Sequence, residues 1–204
     1  DREADVAGHG QRGLVVGTTA RPVDSRQHWR VYIKLLRSAL AGHLSEADYA
    51  TALERAAACA GSELEFPALH WRSLTMSHRE WLQVDEERHS MRAQWARFFE
   101  QWDLLICPVA ATDAMPHNQA GFRWERFIDV DGRPQPTTTQ LFWAGYPGVV
   151  GLPATAVPLE LSARGLPVGA QIVGPAFADP VCLRFARWLE GEYRGFVAPP
   201  LALA

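Results

Sequence analysis

Few residues of this 204-residue chain have the types and spacing that chemistry needs. The segment Gly8-His9-Gly10-Gln11-Arg12-Gly13 fits the G-x-G-x-x-G pattern, which holds the phosphates of a dinucleotide at a helix N-terminus. Such a site needs a strand before the glycines and a helix after them. Residues 1–7 lack a strand pattern, and the glycines lead into a β-like run ending at Gly17. We therefore predict a loop here and no cofactor, and a flavin or nicotinamide oxidoreductase is the third-ranked hypothesis.

Metal chemistry has equally little support in the sequence. Glu86 and His89 form an E-x-x-H pair on one helix face, but a carboxylate-bridged metal site needs a second such pair and further carboxylates. No second pair is present. His117 is isolated among loop residues, where a histidine usually only makes hydrogen bonds. We predict no metal site.

Nucleophilic catalysis by serine needs a base and an oxyanion-binding loop beside the hydroxyl. No serine of the chain lies in a glycine-rich loop, and a G-x-S-x-G elbow is absent. The only lysine, Lys34, is in the middle of a predicted helix and has no serine cluster near it in sequence. We therefore assign no catalytic residue to this chain. The serines are Ser25, Ser38, Ser45, Ser62, Ser73, Ser77, Ser90 and Ser162.

Composition restricts the classes of partner. A formal net charge of −3 and a pI near 6.2 give no basic surface for nucleic acid. No apolar run reaches the ~18 residues of a membrane span, and the N-terminus has no signal-peptide pattern. Cys59, Cys107 and Cys182 are odd in number and far apart, which is typical of reduced thiols. We expect a cytoplasmic protein that binds neither nucleic acid nor membrane.

The elements that would position a site read as an α/β fold. The runs Leu104–Cys107, Ala154–Leu159 and Val168–Val173 have the length of strands and do not alternate, which predicts strands buried on both faces. The last two are separated by a short segment that ends in Gly165, which predicts an antiparallel hairpin. Residues 127–130 are predicted to form a further strand, before the turn Asp131-Gly132.

Helix signals lie on both sides of these strands. We predict five helices: residues 27–41 capped by Asp24 or Ser25, a helix from Ser45 to Gly61, a long helix with the capping box Ser77–Glu80, a short helix over residues 137–145, and residues 181–190 capped by Asp179. Residues 66–74 are aromatic without a pattern and are predicted to be loop. Residues 1–26 are also predicted to be loop.

Several phrases, in order and spacing, carry a resemblance to a known family. They are Trp102 to Pro108, Phe142-Trp143-Ala144-Gly145, GLPATAVPLE and GLPVGAQIVGP. Together they resemble the C-terminal part of the amidase signature family, over residues 29–200. The resemblance implies a mixed sheet covered by helices, in which residues 1–204 are a single region of an amidase domain. It also implies hydrolysis of linear carboxamides.

The resemblance implies a division of labour as well. In the family, a glycine- and serine-rich segment supplies two serines, and a lysine far upstream acts as base. None of these matches a position of this chain, so the catalytic N-terminal half of the same enzyme is an expected partner, beside the amide substrate. A homo-oligomer remains open.

The resemblance implies substrate contacts for Leu141, Phe142, Trp143 and Pro108, because the matching segments lie toward the acyl end of the substrate. Glutamine-using members have an acidic residue near the position of Leu141, so the leucine favours an apolar or aromatic acyl group. Trp143 as a simple core residue is an equally strong alternative. For the whole chain, the alternative to an amidase is a non-catalytic remnant that acts as a binding or assembly module.

Overall fold

The computed structural model describes residues 6–9 and 14–198, and it confirms an α/β fold. The helices are α1 Ser25–Ala41, α2 Glu46–Ala58, α3 Phe66–Leu74, α4 His78–Phe98, α5 Leu141–Gly148 and α6 Asp179–Glu192. The strands are β1 Val6–His9, β2 Val15–Gly17, β3 Leu105–Pro108, β4 Phe127–Val130, β5 Arg133–Pro136, β6 Ala154–Leu161 and β7 Pro167–Val173. Two 3₁₀ helices, Arg123–Glu125 and Thr137–Gln140, flank the β4–β5 pair.

The main sheet has three strands in the order β3-β7-β6, and both pairings are antiparallel. The predicted hairpin is therefore confirmed. It turns at Gly165, which has φ 72°, and Ser162 N donates to Leu166 O at 2.8 Å to close the turn. A glycine tolerates this positive φ, which a residue with a Cβ rarely adopts.

Burial of the strands differs from the prediction. Residues 170–173 of the central strand β7 are buried, whereas β6 alternates between exposed and half-buried residues and Ile106 of β3 is 50% exposed. The prediction that all three strands are covered on both faces is wrong for β3 and β6. Both are edge strands of this sheet, and apolar composition alone does not distinguish an edge strand from a central one.

The helices α1 and α4 begin where their caps predict. Asp24 accepts from Gln27 N at 2.8 Å, and Ser77 and Glu80 form the complete capping box. Their apolar faces meet in the main core, which also receives residues from β3, β7 and α5. Its buried members are Val23, Val31, Val84, Met91, Trp95, Cys107, Tyr146, Val149, Val150 and Val173.

Two helix predictions need correction. Residues 66–74 form α3, not a loop, and Phe66 and Leu69 are buried in a second core with Ile33. Pro67 in the first turn was the available start signal for this helix. The helix after Ser45 ends at Ala58, because Cys59 already has extended backbone angles, and not at Gly61.

The remaining local predictions are mostly confirmed. The strand at 127–130 is β4, which pairs with β5 through Asp131 and Gly132, both at positive φ. The short helix near residues 137–145 is a 3₁₀ turn followed by α5. The last helix begins at Asp179, so Ala178 and not Asp179 is the N-cap residue.

At the N-terminus, β1 pairs with β2 in antiparallel fashion, so the loop prediction for residues 1–26 is wrong at these strands. The β-like run ending at Gly17 is confirmed as β2. The glycine motif lies partly outside the described residues, from Gly10 to Gly13. Among the described helices, none has the length and apolar character needed to cross a membrane.

Candidate functional site

The end of β3 and the start of α5 are joined by the side chain of Gln171. Gln171 lies on the central strand β7, opposite Cys107, and is 7% exposed. Its Nε2 donates to Pro108 O at 3.0 Å and to Trp143 O at 2.8 Å. One amide therefore uses both of its N–H groups to fix two of the predicted substrate residues relative to each other.

A second glutamine fixes the loop that follows Pro108. Gln140, immediately before α5, accepts from Ala111 N through Oε1 at 2.9 Å and donates to Thr112 Oγ1 through Nε2 at 3.0 Å. The loop after β3 is thus held to the N-terminal end of α5 at two points. We call Gln140 and Gln171, with their four partners, the glutamine clamp.

Phe142 is held from the side of α1. His28 is fully buried, its Nε2 lies 3.2 Å from Phe142 O, and its ring meets the rings of Phe142 and Tyr146 edge-on at 4.9 Å. Burial lowers the pKa of His28 to about 4, against a smaller opposing effect of the bond to Phe142. The imidazole is therefore neutral at pH 7, so the Nε2–H donates to the carbonyl.

Trp143 is half-buried and packs on the main core. Its ring contacts Phe142 at 5.0 Å and Tyr146 at 5.6 Å, both edge-on. Leu141 packs instead on the second core, with Ile33 and Phe66. The three consecutive residues therefore reach two separate cores, and each keeps part of its surface accessible.

A wide cavity of about 1220 Å³ begins at the same loop. Its wall includes Ala111 and Thr112 of the clamp, the segment 115–119, the β4 hairpin and the turn between β6 and β7. None of the four predicted substrate residues lines it. Leu141, Phe142 and Trp143 pack on the two cores instead, and Pro108 is joined to Trp143 through the side chain of Gln171.

Among the described residues, no nucleophile lies beside a base that could activate it. Lys34 lines a cavity of about 300 Å³ together with Ser73, but its Nζ lies 3.8 Å from Glu63, and the buried hydroxyl of Ser73 donates to Leu69 O. Burial raises the pKa of Cys107 to about 11, which keeps this thiol protonated.

The E-x-x-H pair is not brought together as a ligand pair. His89 Nδ1 lies 2.8 Å from Asp85 O and contacts the carboxylate of that residue instead of Glu86. Within residues 6–9 and 14–198, no three His, Cys, Asp or Glu residues are grouped as a metal site would need. His117 lines the wide cavity.

Sequence reasoning missed the glutamine clamp and His28. Their partners are 28 to 114 residues away along the chain, beyond any local pattern. The available signal was a polar residue inside an apolar strand, since a buried glutamine must find partners for its amide.

Comparison with known proteins identifies the family. The family model described as Amidase matches residues 19–183. A mitochondrial glutamyl-tRNA(Gln) amidotransferase subunit from mouse is 36% identical over 90 residues, or 44% of this chain and 16% of that protein, and its human counterpart is 34% identical over the same shares. The chain thus spans about one sixth of these curated relatives.

Solved structures show the same fold. A crystal structure of an amidase superposes with a TM-score of 0.58 at 20% identity, over 83% of this chain and 36% of that one. A 6-aminohexanoate cyclic dimer hydrolase complexed with substrate gives 0.56 at 23% identity, over 81% and 35%. The fold is that of the C–N hydrolases with an amidase signature. This chain belongs to the amidase signature family.

Proposed function

We propose that this chain is the sheet-completing, pocket-closing C-terminal part of an amidase, an enzyme that hydrolyses the C–N bond of a linear carboxamide. The observation that carries the proposal is the glutamine clamp. It holds the loop after Pro108 against the start of α5, in a chain whose own serines and lysine form no catalytic group among the described residues. A loop and a helix that are fixed to each other, without a nucleophile of their own, are suited to shape a substrate pocket. The catalytic groups would then come from another segment.

Leu141, Phe142, Trp143 and Pro108 are the proposed substrate contacts. Aromatic rings and a leucine suit an apolar or aromatic acyl group, and the clamp would keep Pro108 and Trp143 at a fixed distance from each other. The catalytic serines and lysine would come from an N-terminal half, in line with the solved chains, of which this chain covers about a third. We propose one amidase domain across residues 1–204 and that half.

The compartment we propose is the cytoplasm. All three cysteines are free, and Cys107 and Cys182 are buried, as expected where thiols stay reduced. The amidotransferase relatives from mouse and human are mitochondrial, so the compartment needs its own test by fractionation. A protein recovered with an organelle fraction would contradict this proposal.

The test is an ammonia-release assay with benzamide and propionamide. The isolated chain should give the buffer rate, since the groups of a triad together contribute several orders of magnitude. Co-expression with the sequence encoded upstream of Asp1, where it carries the glycine- and serine-rich segment, should give turnover that a sulfonyl fluoride abolishes. Turnover by the isolated chain would contradict the division into two halves.

A second candidate, the non-catalytic remnant, is favoured by the environment of Lys34 and Ser73, whose polar groups are occupied by Glu63 and by Leu69 O. Reading the upstream sequence separates the two candidates. Serines in a glycine-rich loop there support the enzyme, and their absence supports a binding or assembly module.

The edges of the main sheet give an independent test. Ile106 on β3 and Leu161 on β6 are about half exposed, and exposed apolar edges favour pairing with another chain. The isolated chain should therefore self-associate in light scattering or bind a hydrophobic dye, and become monodisperse with the other half. A monomer with a cooperative melt and no dye binding would refute the half-enzyme proposal.

A further inference from the structure

The side chain of Arg37, in the last part of α1, lies in an aromatic cluster with a positive charge that no described carboxylate balances. Its Cζ is 5.0 Å from the ring centroid of Phe66. Phe66 stacks on His70 at 6.0 Å, and Trp124 lies 5.9 Å from Phe66 and 5.1 Å from His70. We call Arg37, Phe66, His70 and Trp124 the Arg37 cluster.

Polar atoms in this cluster lack partners. Arg37 Nε and His70 Nδ1 are both buried, and neither makes a hydrogen bond within the described part of the chain. Buried donors and charges are normally satisfied, because leaving them bare costs free energy. Arg37 Nε and His70 Nδ1 are therefore both available to the polar atoms of a ligand.

A second guanidinium increases this imbalance. Burial first, and then the charge of Arg123, lowers the pKa of Arg37, which means that the two positive charges act on each other. Arg123 makes no side-chain hydrogen bond or ion pair among residues 6–9 and 14–198. Arg37 is half-buried and Arg123 is exposed, and an anion between these two like charges would offset their repulsion.

The position of Arg123 connects the cluster to the wide cavity. Arg123, Arg126 and Arg164 all line that cavity, but Arg126 donates to backbone carbonyls and Arg164 pairs with Asp113. The backbone of Arg123 is fixed, because its carbonyl accepts from Thr137 Oγ1 at 2.7 Å. Among the described residues, Arg123 thus has a fixed backbone and an exposed guanidinium, without a side-chain hydrogen bond or ion pair, at the cavity wall.

We infer that Arg37 and Arg123 form a binding site for the carboxylate of a small aromatic or apolar acid, with the half-buried ring of Trp124 against its apolar body. Guanidinium groups match the two oxygens of a carboxylate, and flat rings favour an aromatic body. Leu141 packs on the same second core as Phe66 and Trp124. If the proposed amidase function holds, on which this step rests, the amide substrate carries a carboxylate that this site binds.

The experiment measures binding, not turnover, so that it does not depend on catalysis. Benzoate is titrated into the full chain and followed by ligand-detected NMR, with benzamide as the neutral control of the same shape. We expect benzoate to bind roughly tenfold or more tightly than benzamide. Equal binding, or tighter binding of inorganic phosphate than of benzoate, would overturn the inference.

Two variants locate the site. Arg123→Gln is at an exposed position and should leave the fold intact, and Arg37→Gln removes the half-buried guanidinium. Each should weaken benzoate binding several-fold, whereas Arg26→Gln, an exposed arginine on the same helix α1, should leave it unchanged. Loss of binding in Arg26→Gln, or unchanged binding in Arg123→Gln, would refute the assignment.

The pKa of His70 provides a second measurement, which would not change if Arg37 had only a structural role. Burial and the charge of Arg37 lower the pKa of His70 to about 4. A bound carboxylate opposes that charge, so the pKa in an NMR titration of the imidazole should rise with benzoate and not with benzamide. An unmoved His70 would overturn the inference, while failure of the ammonia-release assay would affect only the proposed function.

Discussion

Replacing Gln171 with leucine tests whether the glutamine clamp is as important as its geometry indicates. The substitution keeps the size of the side chain but removes the donors to Pro108 O and Trp143 O. A hydrogen bond contributes about 1 kcal/mol net, and a buried carbonyl left without a donor costs about 1–3 kcal/mol. Pro108 is exposed, so water can replace the donor there, whereas Trp143 is half-buried. We expect the free energy of unfolding to fall by about 2–3 kcal/mol.

Urea unfolding, followed by circular dichroism, is the assay. Gln83→Leu is the matched control, since Gln83 is exposed on α4 and no described residue accepts a hydrogen bond from its side chain, and its effect should stay within about 0.5 kcal/mol. Equal losses in the two variants, or a Gln171→Leu chain as stable as the parent, would refute the reasoning.

Gln171→Glu keeps the shape of the side chain but replaces the N–H donors with a carboxylate. It therefore separates the effect of losing the hydrogen bonds from the effect of losing packing. The carboxylate would face two carbonyl oxygens in a buried place, which raises its pKa above the ordinary value. The folded variant then binds a proton at higher pH than the unfolded chain does. Its free energy of unfolding should therefore increase as the pH falls through the raised pKa, relative to the parent chain. An unchanged difference between pH 7 and pH 4 would contradict this electrostatic account.

Four further predictions address other parts of the fold. In a complete enzyme, Trp143→Ala should change kcat/KM ratios between small and aromatic amides more than it changes the Tm. A loss of ~3–5 kcal/mol with unchanged selectivity would make Trp143 a core residue. Gly145→Ala should cost about 1–3 kcal/mol in urea unfolding, because the added Cβ would lie 2.3 Å from the ring of Tyr32. Ser77→Ala should lower the free energy of unfolding by ~1 kcal/mol, because α4 loses its N-cap. A loss no larger than that of an exposed serine-to-alanine control would refute this. The folded pKa of His28 is about 4 against 6.5, so stability should be full above pH 6.5 and fall by up to about 3 kcal/mol toward pH 4, a slope that His28→Gln should reduce.

Local signals predicted the helices well, and the reason is physical. A capping serine or aspartate acts within three residues, so α1 and α4 begin where the sequence indicates. The helix α3 was missed because its apolar and aromatic residues show no clear period: Phe66 and Leu69 enter the second core, and the adjacent rings of His70 and Trp71 both contact Trp124. Tertiary contacts decide such segments more than local propensity does.

The candidate site was predictable only in part. The resemblance gave Leu141, Phe142, Trp143 and Pro108 as one group, and the structure joins Pro108 and Trp143 through the side chain of Gln171. Leu141 belongs to the other core, a separation that three consecutive letters do not reveal. No periodicity identifies the partners of Gln171, since they lie 28 and 63 residues away.

The position of Gln171 explains why the two roles proposed for this chain are compatible. It lies on the central strand, where it pairs with Cys107 on one side and Ala156 on the other. A central strand has both of its backbone edges in ladders, so its side chains are the best fixed in the sheet. The residue that orients Pro108 and Trp143 is therefore the one least affected by what happens at the edges. The edge strands β3 and β6 remain able to pair with further strands, and such pairing would extend the sheet without moving the clamp.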